Sequence, residues 1–124
     1  MQNREVHLIK RPEGLPMTDD FRVVETQVGE PADGEVLVQN LYMSVDPAMR
    51  PQMSRGYELG KPMMGGGPEH MHLQEEFSAK MTGWLKEGRI QYRETVLDGI
   101  DAAPQAMVGL MQGQNIGKML VQLA

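Results

Sequence analysis

The stretch NLYMSVDPAMR, residues 40–50, decides how the rest of the chain reads. Its apolar opening runs into Asp46-Pro47, where strand pairing stops because proline has no N–H to donate and where an acidic residue ahead of proline makes a sound helix start. A short helix or turn is therefore expected over residues 47–53. On the N-terminal side the chain reads as β. Residues 4–9 alternate, with Val6 and Leu8 on one face, and end in the turn-forming Arg11-Pro12-Glu13-Gly14. Residues 21–27 are β-branched and alternating, and Pro31-Ala32-Asp33-Gly34 turns the chain into a third expected strand over 35–39. On the C-terminal side, SRGYELGKPMMGGGP over 54–68 follows neither period. It reads as a loop whose triple glycine and proline resemble a joint between two segments.

Beyond that joint the pattern changes to a helical one. Leu73, Phe77, Met81, Trp84 and Leu85 form a single apolar stripe that is expected to pack on its own sheet, with Gly88 as the stop. A strand is expected over 90–96, with Ile90, Tyr92 and Glu94 facing one way. Asp101 is placed to cap a second helix over 102–111, whose buried side carries Ala103, Met107, Leu110 and Met111 and which Gly113 ends. A last strand over 118–123 turns Met119, Val121 and Leu123 to one face. Strands flanking helices in this order read as α+β rather than as alternating βαβ units.

The 124 residues, 40% hydrophobic and 23% charged, fit one domain, residues 1–124. It divides into a β-rich part over 1–64, a joint over 65–71 and a helix-strand-helix-strand return over 72–124, each part too short to bury a sizeable core alone. Aromatics make up 5% of the chain while Met supplies twelve residues, so the core leans on flexible side chains that specify packing loosely. A net charge of −5 without a Lys/Arg cluster gives nucleic-acid binding no electrostatic source. The chain has no Cys and no apolar run of the length of a signal peptide or a membrane span, so a soluble, cytoplasmic protein is expected.

Together NLYMSVDPAMR, the earlier PADGEVLV over 31–38 and the ending WLKEGRIQYRETVLDGIDAAPQAMVGLMQGQNIGKMLVQL over 84–123 carry a likeness to a known family. They resemble the zinc-independent medium-chain dehydrogenase/reductases that reduce alkene bonds conjugated to carbonyls, among them the prostaglandin and leukotriene reductases, plant alkenal double-bond reductases and bacterial curcumin reductase. The resemblance implies a GroES-like catalytic domain, assembled from an N-terminal part and a C-terminal return, around an inserted Rossmann domain that holds NADP. Between the two parts of this chain there is no Rossmann domain, and the later barrel strands are missing too. What is expected is a partial GroES-like β-barrel with two C-terminal helices and open strand edges that invite dimerisation.

Hydride transfer from a dinucleotide needs a strand-turn-helix unit whose glycine-rich turn lets a pyrophosphate approach backbone N–H groups. No G-x-G-x-x-G occurs, and Gly65-Gly66-Gly67 follows no β-branched strand and is broken by Pro68. NADP is thus the cofactor of the parent family, and none is expected to bind tightly to this chain. The substrate that the resemblance implies is a small enone or alkenal. It implies a catalytic role for Tyr57, as a phenol donating to a developing enolate oxygen, set against a loop Tyr half-buried on the barrel. Some relatives carry Tyr where Ala48 stands, so that second hydroxyl is missing. Ser44, Met49 and Arg50 sit where the family lines the substrate cleft, and Asp46, Asn115 and Lys118 where it meets the cofactor. Against these roles stand a cap and an Arg50 partner for Asp46, a turn for Asn115 and solvent for Lys118. Glu69, His70 and His72 beside Glu75 and Glu76 suggest a metal only weakly, because two His two apart share a face on a strand and not on a helix. No metal is expected. His7 reads as a strand residue. The isolated chain is expected not to turn over, and the alternative is a non-catalytic folding or self-assembly module.

Overall fold

The computed structural model describes residues 1–63 and 72–124, with side chains in the second segment from residue 77 onward. The joint over 65–71 and the side chain of Leu73 lie outside the described residues. Strands β1 (Gln2–Leu8) and β2 (Phe21–Gln27) pair antiparallel, from Gln2 opposite Gln27 to Leu8 opposite Phe21. Their alternation buries Leu8 and Phe21 at the closed end of the hairpin. Asp20, the one buried charged residue among those described, accepts a hydrogen bond from the Met17 amide at 2.8 Å and so closes the connecting turn. The other edge of β1 is lined by residues 60–63, through Gly60 N–H to the Leu8 carbonyl and Met63 N–H to the Val6 carbonyl.

The third N-terminal strand is β3 (Tyr42–Val45), not residues 35–39. The expected 35–39 strand is corrected for a simple reason: no strand among the described residues runs beside it. Val36 and Val38 are instead 83% and 68% exposed. β3 pairs antiparallel with the last strand, β5 (Lys118–Gln122), and β5 pairs parallel with β4 (Glu94–Asp98), giving the order β3-β5-β4. The helix α3 (Ala103–Met111) connects β4 to β5, so the α+β fold contains one parallel β-α-β crossover at its C-terminal end. No closed barrel forms among the described residues.

The two sheets share one core. Leu8 and Phe21 from the hairpin meet Val45, Met119 and Val121 from the second sheet and Ala103, Ala106 and Met107 from α3. The short helix α1 (Met49–Arg55) joins them by burying Met53 completely. Arg11 reaches over its C-terminal end, donating to the Met53 carbonyl at 2.8 Å and the Tyr57 carbonyl at 3.2 Å, where a cation also suits the helix dipole. Gly117 marks the tightest approach of backbone to backbone: at φ +75°, an added Cβ would lie 2.0 Å from the Arg93 carbonyl oxygen.

Three further expectations change. β4 begins at Glu94, so residues 90–93 are not strand and Tyr92 is 70% exposed. Asp101 does not cap α3; it lies in the 3₁₀ turn Ile100–Ala102, and its carboxylate pairs with Arg4 at 2.5 Å. Helix α2 (His72–Lys86) forms and stops at Gly88, but its stripe is not laid into the core. Phe77 is 58% exposed, and it is α3 that packs on β3 and β5.

Candidate active site

A cavity of about 290 Å³ lies among β1, β2, β3 and α3. Its walls are mostly apolar, from Val6, Phe21 and Val45 and from four methionines, Met43, Met49, Met63 and Met107. Tyr42 and Ser44 of β3 add hydroxyl-bearing side chains to its lining, and Asn40 adds an amide. Two charged residues line it, and both are matched. Arg4 is paired with Asp101, while Glu5 accepts hydrogen bonds from His7 at 2.8 Å and from Thr26 and Asn3 at 3.1 Å. The bond from His7, against the opposing effect of burial, holds the Glu5 carboxyl below its usual range. The space therefore suits a small, largely apolar molecule with one or two hydrogen-bonding groups.

Of the residues that the family resemblance assigns to the site, Ser44 and Met49 line this cavity and Tyr57, Arg50, Asp46, Asn115 and Lys118 do not. Ser44 donates through Oγ to Asp46 at 2.5 Å, which leaves its oxygen lone pairs for any other partner. Asp46 does not cap α1, whose N-terminal residue Ala48 caps with backbone alone. Nor does it pair with Arg50. Its carboxylate takes the Ser44 hydroxyl and the Lys118 ammonium instead, tying the end of β3 to the start of β5. Burial pushes the Asp46 carboxyl up, but the bonds from Lys118 and Ser44 and the Lys118 charge bring it down further, so Asp46 titrates below the ordinary Asp value.

Arg50 points at the N-terminal turn. It donates to the Gly14 carbonyl at 2.5 and 3.2 Å, to the Pro12 carbonyl at 3.5 Å and to Ser54 Oγ at 2.9 Å, so the fork that could hold a carboxylate or phosphate is holding backbone. Tyr57 is half-buried against the core and outside the cavity wall. Its phenol is pushed above the usual Tyr value, first by burial and then by the negative charge of Asp46. Asn115 donates to the Gly117 carbonyl at 2.6 Å, a turn role.

Of the residues that the family resemblance sets at the cofactor, Lys118 and Asp46 pair with each other and Asn115 closes its own turn, and the sequence contains no G-x-G-x-x-G. Among the described residues no three His, Asp or Glu side chains gather as a metal site. Glu69 and His70, with the side chains of His72, Glu75 and Glu76, lie outside the described residues. No helix described here is long and apolar enough to cross a membrane. The residues that the sequence reading missed are Tyr42, Asn40, Phe21 and the methionines other than Met49.

A family described as the N-terminal domain of oxidoreductase matches residues 4–68, just over half of the chain. NADPH-dependent curcumin reductase of Escherichia coli is 41% identical over 56 residues, which is 45% of this chain and 16% of that protein. The NADP(+)-dependent 2-alkenal reductase of Nicotiana tabacum is 36% identical over 56 residues, again 45% of this chain and 16% of the relative. The crystal structure of CurA in complex with NADPH from Vibrio vulnificus superposes with a TM-score of 0.43 at 34% identity, covering 59% of this chain and 27% of that one. The aligned part thus spans about a sixth of the length of these two reductases. With the match running through β1, β2, β3 and α1, the chain belongs to the zinc-independent medium-chain dehydrogenase/reductase family of oxidoreductases.

Proposed function

We propose that this chain is the substrate-side, catalytic-domain portion of an NADPH-dependent oxidoreductase that reduces the C=C bond of α,β-unsaturated carbonyl compounds, and that alone it does not turn over. The observation that carries this reading is the apolar, methionine-walled cavity between the family-matched β1, β2 and β3 and the helix α3, with Ser44 and Met49 on its wall. The names of the relatives support the substrate class, since they act on curcumin and on 2-alkenals with NADPH or NADP. Ser44 and Met49 contact the acceptor in this reading. Tyr57 enters as the donor to its carbonyl on the family resemblance, and burial keeps the phenol protonated for that task. Arg50, Asp46, Asn115 and Lys118 hold the walls. Orientation of donor against acceptor is what a dinucleotide domain supplies, and its loss removes most of the rate. A reducing, cytoplasmic setting fits a chain without cysteine.

The test is a titration of the protein, labelled with ¹³C at its Met methyls, with a conjugated aryl enone. Shifts are expected at Met43, Met49, Met63 and Met107 and not at the exposed Met17. Uniformly unmoved methyls would remove the substrate-side assignment. Separately, oxidation of NADPH by the isolated chain with a 2-alkenal would overturn the claim of no turnover. A cofactor titration followed by Trp84 fluorescence is expected to show no saturable micromolar binding.

A second reading, a non-catalytic self-assembly module derived from this domain, is favoured by one observation. β3 and β4 are edges of the three-stranded sheet, and the stretch leading into β3 exposes its apolar side chains. Sedimentation velocity across a concentration series tests it.

A further inference from the structure

Resting on the self-assembly reading, we infer that residues 34–42 form an antiparallel strand-to-strand interface with the same stretch of a second copy of this chain, related by a two-fold axis near Val38. Three observations converge there. First, the stretch is apolar and exposed at Val36, Leu37, Val38, Leu41 and Tyr42, by 83, 47, 68, 57 and 53%. A contiguous run of this kind on a small protein marks an interaction surface. Second, among the described residues the backbone amides of residues 36–41 find no acceptor, while the amide of Glu35 before them closes a turn onto Ala32. Third, the stretch runs directly into β3, whose outer edge carries no strand among the described residues, so an added strand continues a sheet that already exists.

The sequence selects the occupant and its direction. With Val38 opposite Val38, an antiparallel pair sets Leu37 opposite Gln39, Val36 opposite Asn40 and Glu35 opposite Leu41, with no like charges facing. A parallel pair would set Glu35 against Glu35. Nine residues span about 30 Å, enough for a two-stranded ladder but short of a standard-size interface, so a reversible, micromolar dimer is the expected strength.

Sedimentation velocity with variants at Val38 tests both the surface and the register. Val38 is exposed, so its substitution leaves the fold in place. The unmodified chain is expected to show a reversible monomer–dimer equilibrium. Val38→Lys and Val38→Glu should each be monomeric over the same range, because each sets like charges across the axis, and an equimolar mixture should recover dimer. Amide exchange at residues 36–41 should slow as protein concentration rises. A chain that stays monomeric throughout would sink this inference together with the self-assembly reading. Association that survives both Val38 variants and is lost in Phe77→Glu would leave that reading standing and move the interface to α2. Failure of the mixture to recover dimer would overturn the register.

Discussion

Val121, in β5, is fully buried, whereas Val36, in an equally β-branched and alternating stretch 85 positions earlier, is 83% exposed. Both stretches carry the same local preference. β5 differs in its surroundings: β3 pairs along one edge, β4 along the other, and α3 covers the face that carries Met119 and Val121. Among the described residues, 36–40 have no ladder on either side, and Leu41 meets β5 only through its carbonyl, which accepts from the Leu123 N–H. The contrast shows that a strand is a tertiary object, since pairing partners satisfy its backbone and a covering element buries its side chains.

The comparison breaks most decisively at its buried end. Met107 is 3% exposed where α3 meets β3 and β5, and Met107→Ala is expected to cost about 2–5 kcal/mol by transfer and cavity formation, read as a lower urea midpoint. Should the midpoint hold, the shared core would not be what supports the central sheet. Next in size is the tie from α1 to the first turn. Arg50→Ala should cost about 1–2 kcal/mol and speed amide exchange near Leu15, and Arg50→Lys should not restore it, because an ammonium lacks the fork that reaches two carbonyls.

A smaller effect, of about 1 kcal/mol or less because the carboxylate is 42% exposed, is expected for Asp46→Asn. Its sign can be worked out. The folded-state value of Asp46 lies below the unfolded one, so its contribution is fully present above about pH 3.9 and fades as pH falls through the folded value. The variant should therefore lose stability at neutral pH and show a flatter decline in acid, measured by urea midpoints across pH. Smallest of all, Val36→Ala should change stability by no more than about 0.5 kcal/mol, since the side chain is already in water. A loss as large as that of Met107→Ala would mean that residues 36–41 are covered in solution, and would sharpen the case for a second copy over them.

Much of the architecture was legible in one dimension. The alternation of Val6 and Leu8, the β-branched run at 21–27, the spacing of Met119 and Val121 and the helical period of 103–111 each mark a local period, and the elements formed within a few residues of where those periods lie. The family resemblance set Ser44, Asp46, Met49 and Arg50 at a cleft; Ser44 and Met49 lie on the cavity wall, and Asp46 and Arg50 do not. Lys118 and Arg50 were not legible in the same way. A long cation has many partners within reach, and which one it takes depends on whether Asp46 or the Gly14 carbonyl is carried into range by the rest of the fold.

By itself the sequence carried the family likeness in its motifs, and it determined the α+β class and the faces of β1, β2, β5 and α3, because turn chemistry and side-chain period are written between neighbours along the chain. Only the tertiary structure decided that 42–45 and not 35–39 is the third strand, that β4 and β5 run parallel around α3, and that α2 keeps Phe77 in water. Those outcomes turn on which backbone edge and which apolar face are left for a segment after the others have packed, and that competition has no counterpart in local pattern.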